Sequence, residues 1–323
     1  MATSLTPWTP DWAVPPGEVL AEALAERRMT QAELARRMGR PLKTISEIAT
    51  GKAAITPQTA IQLERTLGIS AHFWNSLEVR FRDALARSEA RYELESQTAW
   101  LKRFPLVAMA SRGLIEQGRT EVDTLERLLT FFGVSQPSAW ENQWSRLEAA
   151  FRSSDAYRPS PYSLSAWLRW GEVLASDIEL ADYDPSALRL AITQLRPLTR
   201  LASFEAAIGR MRRKMAGCGV AFVVVPELPR SRVSGAARWF AGSPLIQVSL
   251  RYRTDDQFWF SVFHECGHVL SDVRGALVVE DIDPSRQLEG EVGEDVANEF
   301  ARDTLIPPED YRAFIEKQDL SAQ

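Results

Sequence analysis

The stretch MTQAELARRMGRPLKTISEIATGK, residues 29–52, decides the fold of the front part of this chain. Apolar residues recur at helical spacing on both sides of Gly39, which predicts two short helices joined by a tight turn. The first helix is predicted to begin near Thr30, whose hydroxyl can cap it, with Glu33 three residues later as a capping-box partner.

The second helix of the pair is predicted to run from about Pro41 to Ala49. Proline suits the first turn of a helix, where its missing N–H would have no partner, and Gly51 ends the pattern. Four apolar residues of the two helices fall on faces that would point inward: Leu34, Ala35, Ile45 and Ile48. The pair is therefore predicted to pack as a helix-turn-helix.

The outward face of the second helix carries side chains that can contact DNA. Lys43, Thr44 and Glu47 are predicted to lie on the face that a recognition helix places in the major groove. Gln31, at the start of the first helix, is predicted to contact a phosphate. A helix pair alone is as typical of an ordinary helical domain, so the DNA-binding prediction depends on a longer match.

That longer match covers residues 19–81, VLAEALAERRMTQAELARRMGRPLKTISEIATGKAAITPQTAIQLERTLGISAHFWNSLEVRF. This segment resembles the lambda-repressor-like (XRE) family, and most closely its HigA-type antitoxin branch. The resemblance implies an all-helical domain over residues 1–88 that binds a double-stranded DNA operator as a homodimer, because one such domain covers a half-site. His72, near the start of the last helix, is expected to be a capping or surface residue.

A second motif, HECGH at residues 264–268, predicts a metal site. Two histidines four residues apart lie on one face of a helix and can share one tetrahedral metal ion. Glu265 lies beside them and could polarise a water molecule. The alternative is a pair of partly buried structural histidines, which is the weaker interpretation because the whole chain has only three histidines.

A catalytic zinc site needs a third protein ligand and an open fourth position. The one remaining histidine belongs to the N-terminal domain, so the third ligand is expected to be a downstream carboxylate: Glu289, Glu291, Glu294 or Asp295. Glu294 is favoured because Asn298 follows it by four residues on a predicted helix. That helix face would offer the metal a carboxylate and offer a ligating histidine a hydrogen bond.

The segments FHECGHVL (263–270) and EDVANEFARDTLIP (294–307) resemble the ImmA/IrrE family of metallo-endopeptidases. The likeness reaches back through GAARWF and PLIQVSL to about Gly217. It implies that three residues bind zinc, namely His264, His268 and Glu294. It also implies that Glu265 is the general base and that Asn298 supports a ligand.

The same resemblance assigns two further features of this region. Residues Ala236 to Phe240 would correspond to an edge strand beside the active-site cleft, where an extended substrate peptide could add as another strand. Cys266, two residues from each histidine, is expected to point away from the metal and to pack in the core.

Composition and pattern place these motifs in a chain of 323 residues, long enough for at least two cores. Helical periodicity continues through a middle region, 89–216, whereas GVAFVVV (219–225), ARWF (237–240) and PLIQVSL (244–250) predict short strands. The predicted fold is α+β, mostly α: a helix-turn-helix domain, a helical middle region, and a zincin-like domain over 217–323 with a small sheet and the HExxH helix.

Charge and cysteine content restrict the function classes. Residues 1–88 hold 11 Lys and Arg against 9 Asp and Glu, whereas the whole chain has a formal net charge of –5. The excess of acidic residues therefore lies after residue 88. This front end is compatible with DNA binding but is less basic than most phosphate-binding surfaces. Cys218 and Cys266 form no Cys-x-x-Cys pair, which argues against a disulfide framework and fits a reducing compartment. With no signal or membrane-spanning pattern recognised, a cytoplasmic protein without a membrane partner is expected.

Two functional hypotheses follow. The first is a transcriptional regulator, antitoxin-like in its DNA-binding domain, whose zinc-dependent endopeptidase domain cleaves a regulatory protein, such as a repressor or a partner toxin or antitoxin, or cleaves the chain itself. The second is a non-catalytic repressor or antitoxin in which the zinc domain is a sensor or a structural module. Glu265 favours the enzyme, because a purely structural site needs no base and fills its fourth coordination position.

Overall fold

A computed structural model describes residues 14–150, 160–251, 254–271, 278–280 and 292–317. The chain divides into two compact units, Met1–Gln97 and Thr98–Gln323. The architecture is mostly helical with one small sheet in the second unit, which confirms the predicted α+β class. Among the described helices, not one combines the length and the apolar character needed to cross a membrane.

Over its described residues, 14–97, the first unit has five helices: α1 (Pro16–Glu26), α2 (Gln31–Met38), α3 (Leu42–Ala49), α4 (Pro57–Leu67) and α5 (Ala71–Glu95). Helices α2 and α3 form the predicted helix-turn-helix. The hydroxyl of Thr30 accepts a hydrogen bond from the N–H of Glu33 at 3.2 Å, and Gly39 ends α2 in the left-handed conformation. This conformation at a helix end is one that glycine adopts without steric cost.

The core of this unit is built from one apolar stripe of each helix. Five side chains at its centre are essentially fully buried: Leu20, Leu34, Ile45, Leu63 and Trp74. The four residues predicted to point inward from α2 and α3 are all buried. Burial of such stripes is the main source of stability for short helices, which are marginal in isolation.

Two local details of the helix pair differ from the prediction. The carboxylate of Glu33, predicted to complete a capping box, instead binds the guanidinium groups of Arg36 and Arg37. These partners lie three and four residues along the same helix, the spacing at which opposite charges meet. Pro41 occupies the position before the first turn of α3 rather than a place within it.

Gly17 sets how closely α1 approaches the carboxyl end of α3. A β-carbon built at Gly17 would lie 2.7 Å from the carbonyl oxygen of Ile48 and would also clash with the carbonyl group of Ala49. Only a residue without a side chain allows α1 to cross the end of α3 at this distance. The orientation of α3, the candidate recognition helix, is therefore held in part by a glycine outside the helix-turn-helix.

The second unit begins with helical segments and then forms a sheet. Its helices before the sheet are the 3-10 helices Thr98–Arg103 and Arg196–Arg200 and the α-helices α6 (Leu106–Ser111), α7 (Glu121–Phe132), α8 (Pro137–Ala150), α9 (Pro161–Ser176), α10 (Pro185–Leu195) and α11 (Phe204–Ala216). The strands and later helices are β1 (Ala221–Val224), β2 (Gly235–Phe240), β3 (Ser243–Val248), α12 (Asp255–Leu270), β4 (Val278–Glu280), α13 (Val292–Leu305) and α14 (Pro308–Lys317).

The sheet has the strand order β1-β3-β2-β4. Strand β3 is parallel to β1 and antiparallel to β2, with Ala237 opposite Ile246. Strand β4 pairs antiparallel with Gly235–Ala237. The prediction of an edge strand over Ala236–Phe240 is therefore wrong for its first two residues, because β4, which no sequence pattern indicated, covers that part of β2.

The two faces of the sheet have different chemistry. On one face, Phe222, Ala237 and Ile246 pack in an apolar core with α11 and α12. On the other face, α9 is attached by polar contacts: the indole N–H of Trp167 donates to the carbonyl of Val225 at 3.0 Å, and the amide of Gln247 donates to the carbonyl of Trp167 at 2.6 Å. Helix α9 of the middle region therefore covers the second face of the sheet.

Arg238 carries a buried charge at this polar face. Its guanidinium donates to the carbonyl of Leu168 at 2.7 Å and to the side chain of Gln247 at 3.2 Å, and it lies 3.7 Å from the carboxylate of Glu172. Burial lowers the pKa of Arg238 to about 10, an effect that the negative charge of Glu172 partly offsets. The side chain therefore stays charged at neutral pH and depends on α9 for its carboxylate and carbonyl partners, Glu172 and Leu168.

The contact at Gly17 can be tested with Gly17→Ala. We expect backbone amides of α1 and α3 to exchange about tenfold faster or more, because the added methyl group forces the two helices apart at a cost of about 1–3 kcal/mol. Hydrogen–deuterium exchange followed by mass spectrometry measures this in the full chain. Glu22→Ala, on the exposed face of α1, is the matched control, and equal protection in both variants would contradict the proposed role of Gly17.

Candidate functional site

The HECGH motif lies on the carboxyl half of α12, which runs through the core of the second unit. His264, Glu265 and Cys266 are fully buried, and His268 is 4% exposed. The helix packs against β2 and β3 on one side and against α13 on the other. The functional side chains are therefore fixed by packing on both sides of the helix rather than carried on a loop.

Gly267 brings α13 close to the two histidines. A β-carbon at Gly267 would lie 3.0 Å from the α-carbon of Ala297 and 3.3 Å from its β-carbon. This pair of small residues lets the backbones of α12 and α13 approach each other. Glu294 and Asn298 lie on either side of Ala297 along α13, so the close approach places both side chains against the histidines.

Three side chains converge at this point: His264, His268 and Glu294. The Nε2 atoms of the two histidines are 2.7 Å apart, and they lie 3.3 and 3.4 Å from the two carboxylate oxygens of Glu294. Ligands of a tetrahedral ion with bonds near 2.05 Å are separated by about 3.3 Å. The distances from the imidazole nitrogens to the carboxylate oxygens match this spacing, whereas the two Nε2 atoms, at 2.7 Å, are closer to each other than ligands of one ion would be.

The protonation states suit metal binding. Burial lowers the pKa of His264, against an opposing contribution from its hydrogen bond with Glu294, which favours the neutral imidazole that a metal requires. Burial would raise the pKa of Glu294, but hydrogen bonds from His264 and His268 lower it to about 2. Glu294 is therefore ionised at neutral pH, and it offers a negative oxygen beside the neutral imidazole of His264.

Asn298 fixes the orientation of His264. Its side-chain oxygen lies 3.0 Å from Nδ1 of His264 and accepts a hydrogen bond from it in the tautomer that leaves the Nε2 lone pair free for a metal. The structure thus brings Asn298 to the histidine that the sequence predicted it would support. Phe260, one turn earlier on α12, lies against the same imidazole ring.

Glu265 lies on a different side of α12, against the first residue of β2. A β-carbon at Gly235 would be 2.9 Å from the carboxyl carbon of Glu265, so the glutamate fits there because residue 235 is a glycine. Gly235 and Gly267 were not among the site residues predicted from the sequence. A glycine at the start of a strand or inside a helix indicates close approach of another group, and this signal could have identified both.

The remaining residues considered for this site fall into three groups. Asp295 is exposed, and it is not part of the converging group. Glu289 and Glu291 lie outside the described residues. Cys266 packs in the apolar core, and burial, together with the nearby charge of Glu265, raises the pKa of its thiol. A thiol with a raised pKa is a poor nucleophile, which agrees with the expected packing role.

The residues predicted to contact DNA lie on α2 and α3. The side chain of Lys43 is 84% exposed and pairs with Glu47 across one helical turn at 3.7 Å. Thr44 and Gln31 are half-buried. The structure therefore places Lys43 and Glu47 together on the outward side of α3. His72 is exposed at the start of α5, which Ser70 caps.

Comparison with known proteins finds two families along the chain. Residues 20–74 match the helix-turn-helix family, and residues 224–323 match the IrrE N-terminal-like domain of the M78 peptidases. An uncharacterized HTH-type transcriptional regulator of Escherichia coli K12, YddM, is 40% identical over 63 residues, which are 20% of this chain and 67% of that protein.

Two solved structures resemble the N-terminal part. An addiction module antidote protein of the HigA family from Coxiella burnetii is 28% identical over 26% of this chain and 91% of its own, with a TM-score of 0.24. The Pseudomonas aeruginosa antitoxin HigA, solved with the higBA promoter, is 30% identical over 26% of this chain and 94% of its own, with a TM-score of 0.25.

The two family matches coincide with the two structural features described above, the helix pair α2–α3 and the helix pair α12–α13. The chain therefore belongs to the helix-turn-helix transcriptional regulators and joins that domain to a C-terminal domain of the IrrE-like M78 peptidase family.

Proposed function

We propose that the chain is a DNA-binding transcriptional regulator whose C-terminal domain is a zinc-dependent endopeptidase that cleaves a regulatory protein or the chain itself. The observation that carries this proposal is the convergence of the two histidine Nε2 atoms and the Glu294 carboxylate, with Glu265 buried on the same helix. We expect the protein to act in the cytoplasm, where operator DNA is present.

The donor set fits zinc. Two imidazole nitrogens and one carboxylate oxygen are the ligands of catalytic zinc sites in many peptidases. Within the described part of the chain, the group that could hold a metal contains these three side chains and no fourth. Zinc bound there would supply Lewis-acid chemistry that polarises a peptide carbonyl and a water molecule.

Glu265 is the residue that we assign to proton transfer. It follows His264 directly and is not part of the converging group, and we assign to its carboxylate the role of accepting a proton from the attacking water. The same group can then pass the proton to the amine that leaves when the peptide bond breaks. Contact with Gly235 limits the positions that this carboxylate can take, which reduces the reorganisation needed for the reaction.

For the N-terminal domain we propose operator binding through α3. Lys43 and Glu47 are presented outward at a spacing that suits base edges in the major groove. For Gln31, at the start of α2, we propose a contact with a phosphate. One domain covers a half-site, so we propose that the protein binds a two-fold-related operator as a homodimer.

The competing function is a repressor or antitoxin in which the metal centre is only structural or a sensor. Such a centre usually fills all four coordination positions with protein ligands. The three converging ligands and the presence of Glu265 directly after His264 in the chain favour the enzyme, because a structural site needs no proton acceptor.

The metal assignment predicts about one zinc ion per chain. We expect His264→Ala to lose this zinc, because two ligands cannot hold the ion, whereas His72→Ala, which removes the exposed histidine of α5, keeps it. Elemental analysis of the purified variants measures the difference. A full complement of zinc in His264→Ala would place the metal elsewhere in the chain.

Glu265→Gln separates the enzyme from the sensor. The substitution keeps the size of the side chain but removes the proton acceptor, so we expect unchanged zinc content and operator affinity, with peptide cleavage lowered about 100-fold or more. Cleavage of a peptide library, followed by mass spectrometry, measures the rate. Glu299→Gln, at an exposed position of α13, is the matched control.

In cells, the wild type is expected to relieve repression under an inducing condition, while Glu265→Gln stays repressed. Identical induction by the two proteins, at equal zinc content and equal protein level, would rule out the peptidase. Zinc content must be measured in parallel, because loss of the metal would also abolish activity by unfolding the site.

Lys43→Ala tests the recognition helix. We expect operator affinity to fall about three- to tenfold. A phosphate contact by Lys43 would also reduce the slope of log affinity against log salt concentration by about one, whereas a base contact would mainly relax specificity. Fluorescence anisotropy at several salt concentrations measures both effects on DNA selected from a random library. Lys102→Ala, outside the helix-turn-helix, is the control, and equal wild-type affinity for selected and random DNA would contradict operator recognition.

A further inference from the structure

A pocket of about 500 Å³ lies beside the amino-terminal half of α12. Its lining includes Gln257 and Ser261, which precede Glu265 by two turns and one turn on the same face of the helix. It also includes Ser234, the neighbour of the glycine that contacts Glu265. The pocket and the candidate catalytic centre are therefore built on the same helix, α12, and on consecutive residues at the start of β2.

Two buried polar atoms of this pocket have no hydrogen-bond partner among the described residues. They are the hydroxyl oxygen of Ser234, a residue that is only 4% exposed, and the side-chain oxygen Oε1 of Gln257. Buried polar groups without partners are uncommon in folded proteins, because each one costs the free energy of its lost hydration. Two of them lining one pocket indicate a bound group that supplies their hydrogen bonds.

The other two serines of the pocket have already used their hydrogens. The hydroxyl of Ser249 donates to the carbonyl of Val233 at 2.6 Å, and the hydroxyl of Ser261 donates to the carbonyl of Gln257 at 3.0 Å. These oxygens can still accept hydrogen bonds but cannot donate them. The wall near α12 therefore favours a ligand with N–H donors, while Ser234 remains able to donate to an acceptor.

The charges around the pocket balance. Arg112 and Arg251 contribute two positive charges, and Glu227 and Asp255 contribute two negative ones. Arg112, from the end of α6, donates to the carbonyls of Ala108 and Glu227 at 3.2 and 3.1 Å, so part of its hydrogen-bonding capacity is used within the protein. A lining without net charge favours a neutral polar group over a cation or an anion.

We propose that this pocket is a substrate subsite that binds a carboxamide side chain, glutamine or asparagine, of the peptide to be cleaved. A carboxamide is neutral and presents one acceptor and two donors on adjacent atoms. Its oxygen accepts from Ser234, and its N–H groups donate to Gln257 and to the serine oxygens. This assignment rests on the proposed peptidase function, since it gives that same site a substrate preference.

The helix geometry gives the place of this side chain in the substrate. Ser261 and Gln257 lie about 6 and 12 Å from Glu265 along the axis of α12. An extended peptide advances about 3.4 Å per residue, so the carboxamide belongs to a residue about two to four positions from the cleaved bond. Arg112 makes the middle region part of the subsite, which gives that region a role in substrate selection.

The test uses full-length, zinc-loaded Glu265→Gln protein, so that peptides bind without being cleaved. The probes are acetylated octapeptides of alanine and glycine with a C-terminal N,N-dimethylamide, which carry glutamine at each position in turn, with matched sets carrying leucine or glutamate. We expect one position at which the glutamine peptide binds about tenfold more tightly than its leucine and glutamate counterparts, as measured by NMR titration.

Ser234→Ala and Gln257→Leu, each introduced into this protein, are expected to lower that preference about three- to tenfold. Ser163→Ala is the matched control, because Ser163 is also a buried serine but lies on α9 outside the pocket. Thermal unfolding of each variant identifies any that fail to fold. Equal binding of glutamine and leucine peptides, or an unchanged preference in both folded pocket variants, would overturn the proposal.

Two further measurements separate the subsite from the peptidase. If the wild-type chain cleaves the same peptides two to four residues from the preferred glutamine, the result supports both the subsite and the peptidase function. Position-specific binding without any cleavage by the wild type supports the subsite and contradicts the proposed enzyme. Free L-glutamine that binds as tightly as the best peptide would overturn the substrate role, because the pocket would then take a metabolite.

Discussion

The close contact between α12 and α13 at Gly267 and Ala297 is the constraint on which the candidate metal centre depends. The histidines belong to one helix and the carboxylate to another, so the three ligands meet only if the two backbones come within the distance that these small residues permit. A side chain at Gly267 would press on the backbone of Ala297 and push α13, with Glu294, away from the imidazoles, whereas bonds to zinc tolerate little stretching.

The same helix is also in close contact with the sheet, at Gly235. The two contacts lie on different sides of α12 and separate the metal ligands from Glu265. The side of α12 that faces α13 carries the ligands, while the side that faces β2 carries Glu265. A base and a metal that act on one water molecule must be near each other but must not bind each other. Placing them on different sides of a rigid, buried helix meets the second condition, because the carboxylate of Glu265 cannot exchange places with a ligand.

The sequence was sufficient for the elements whose signals are local. The helix-turn-helix followed from apolar spacing around Gly39, and the choice of Glu294 followed from its distance to Asn298 along one helix. The misjudged features depend on partners distant in the chain or on competition between neighbours. Strand β4 is three residues long and is formed by its pairing with β2. The carboxylate of Glu33 binds neighbouring arginines instead of completing the capping box at the start of α2. The carboxamide pocket combines α6, the loop before β2 and α12, so no single segment could have indicated it.

The buried charge of Arg238 bears on how this protein can be recombined with others. The part that matches the peptidase family begins at residue 224, yet the carboxylate and the carbonyl that stabilise this guanidinium lie on α9, more than fifty residues upstream of that boundary. A chimera joining the matched segment alone to a foreign regulator would keep Gln247 but would leave this buried cation without the carboxylate of Glu172 and the carbonyl of Leu168, at a cost of about 3–5 kcal/mol. The smallest exchangeable module therefore includes α9, and exchange at the family boundary would be selected against.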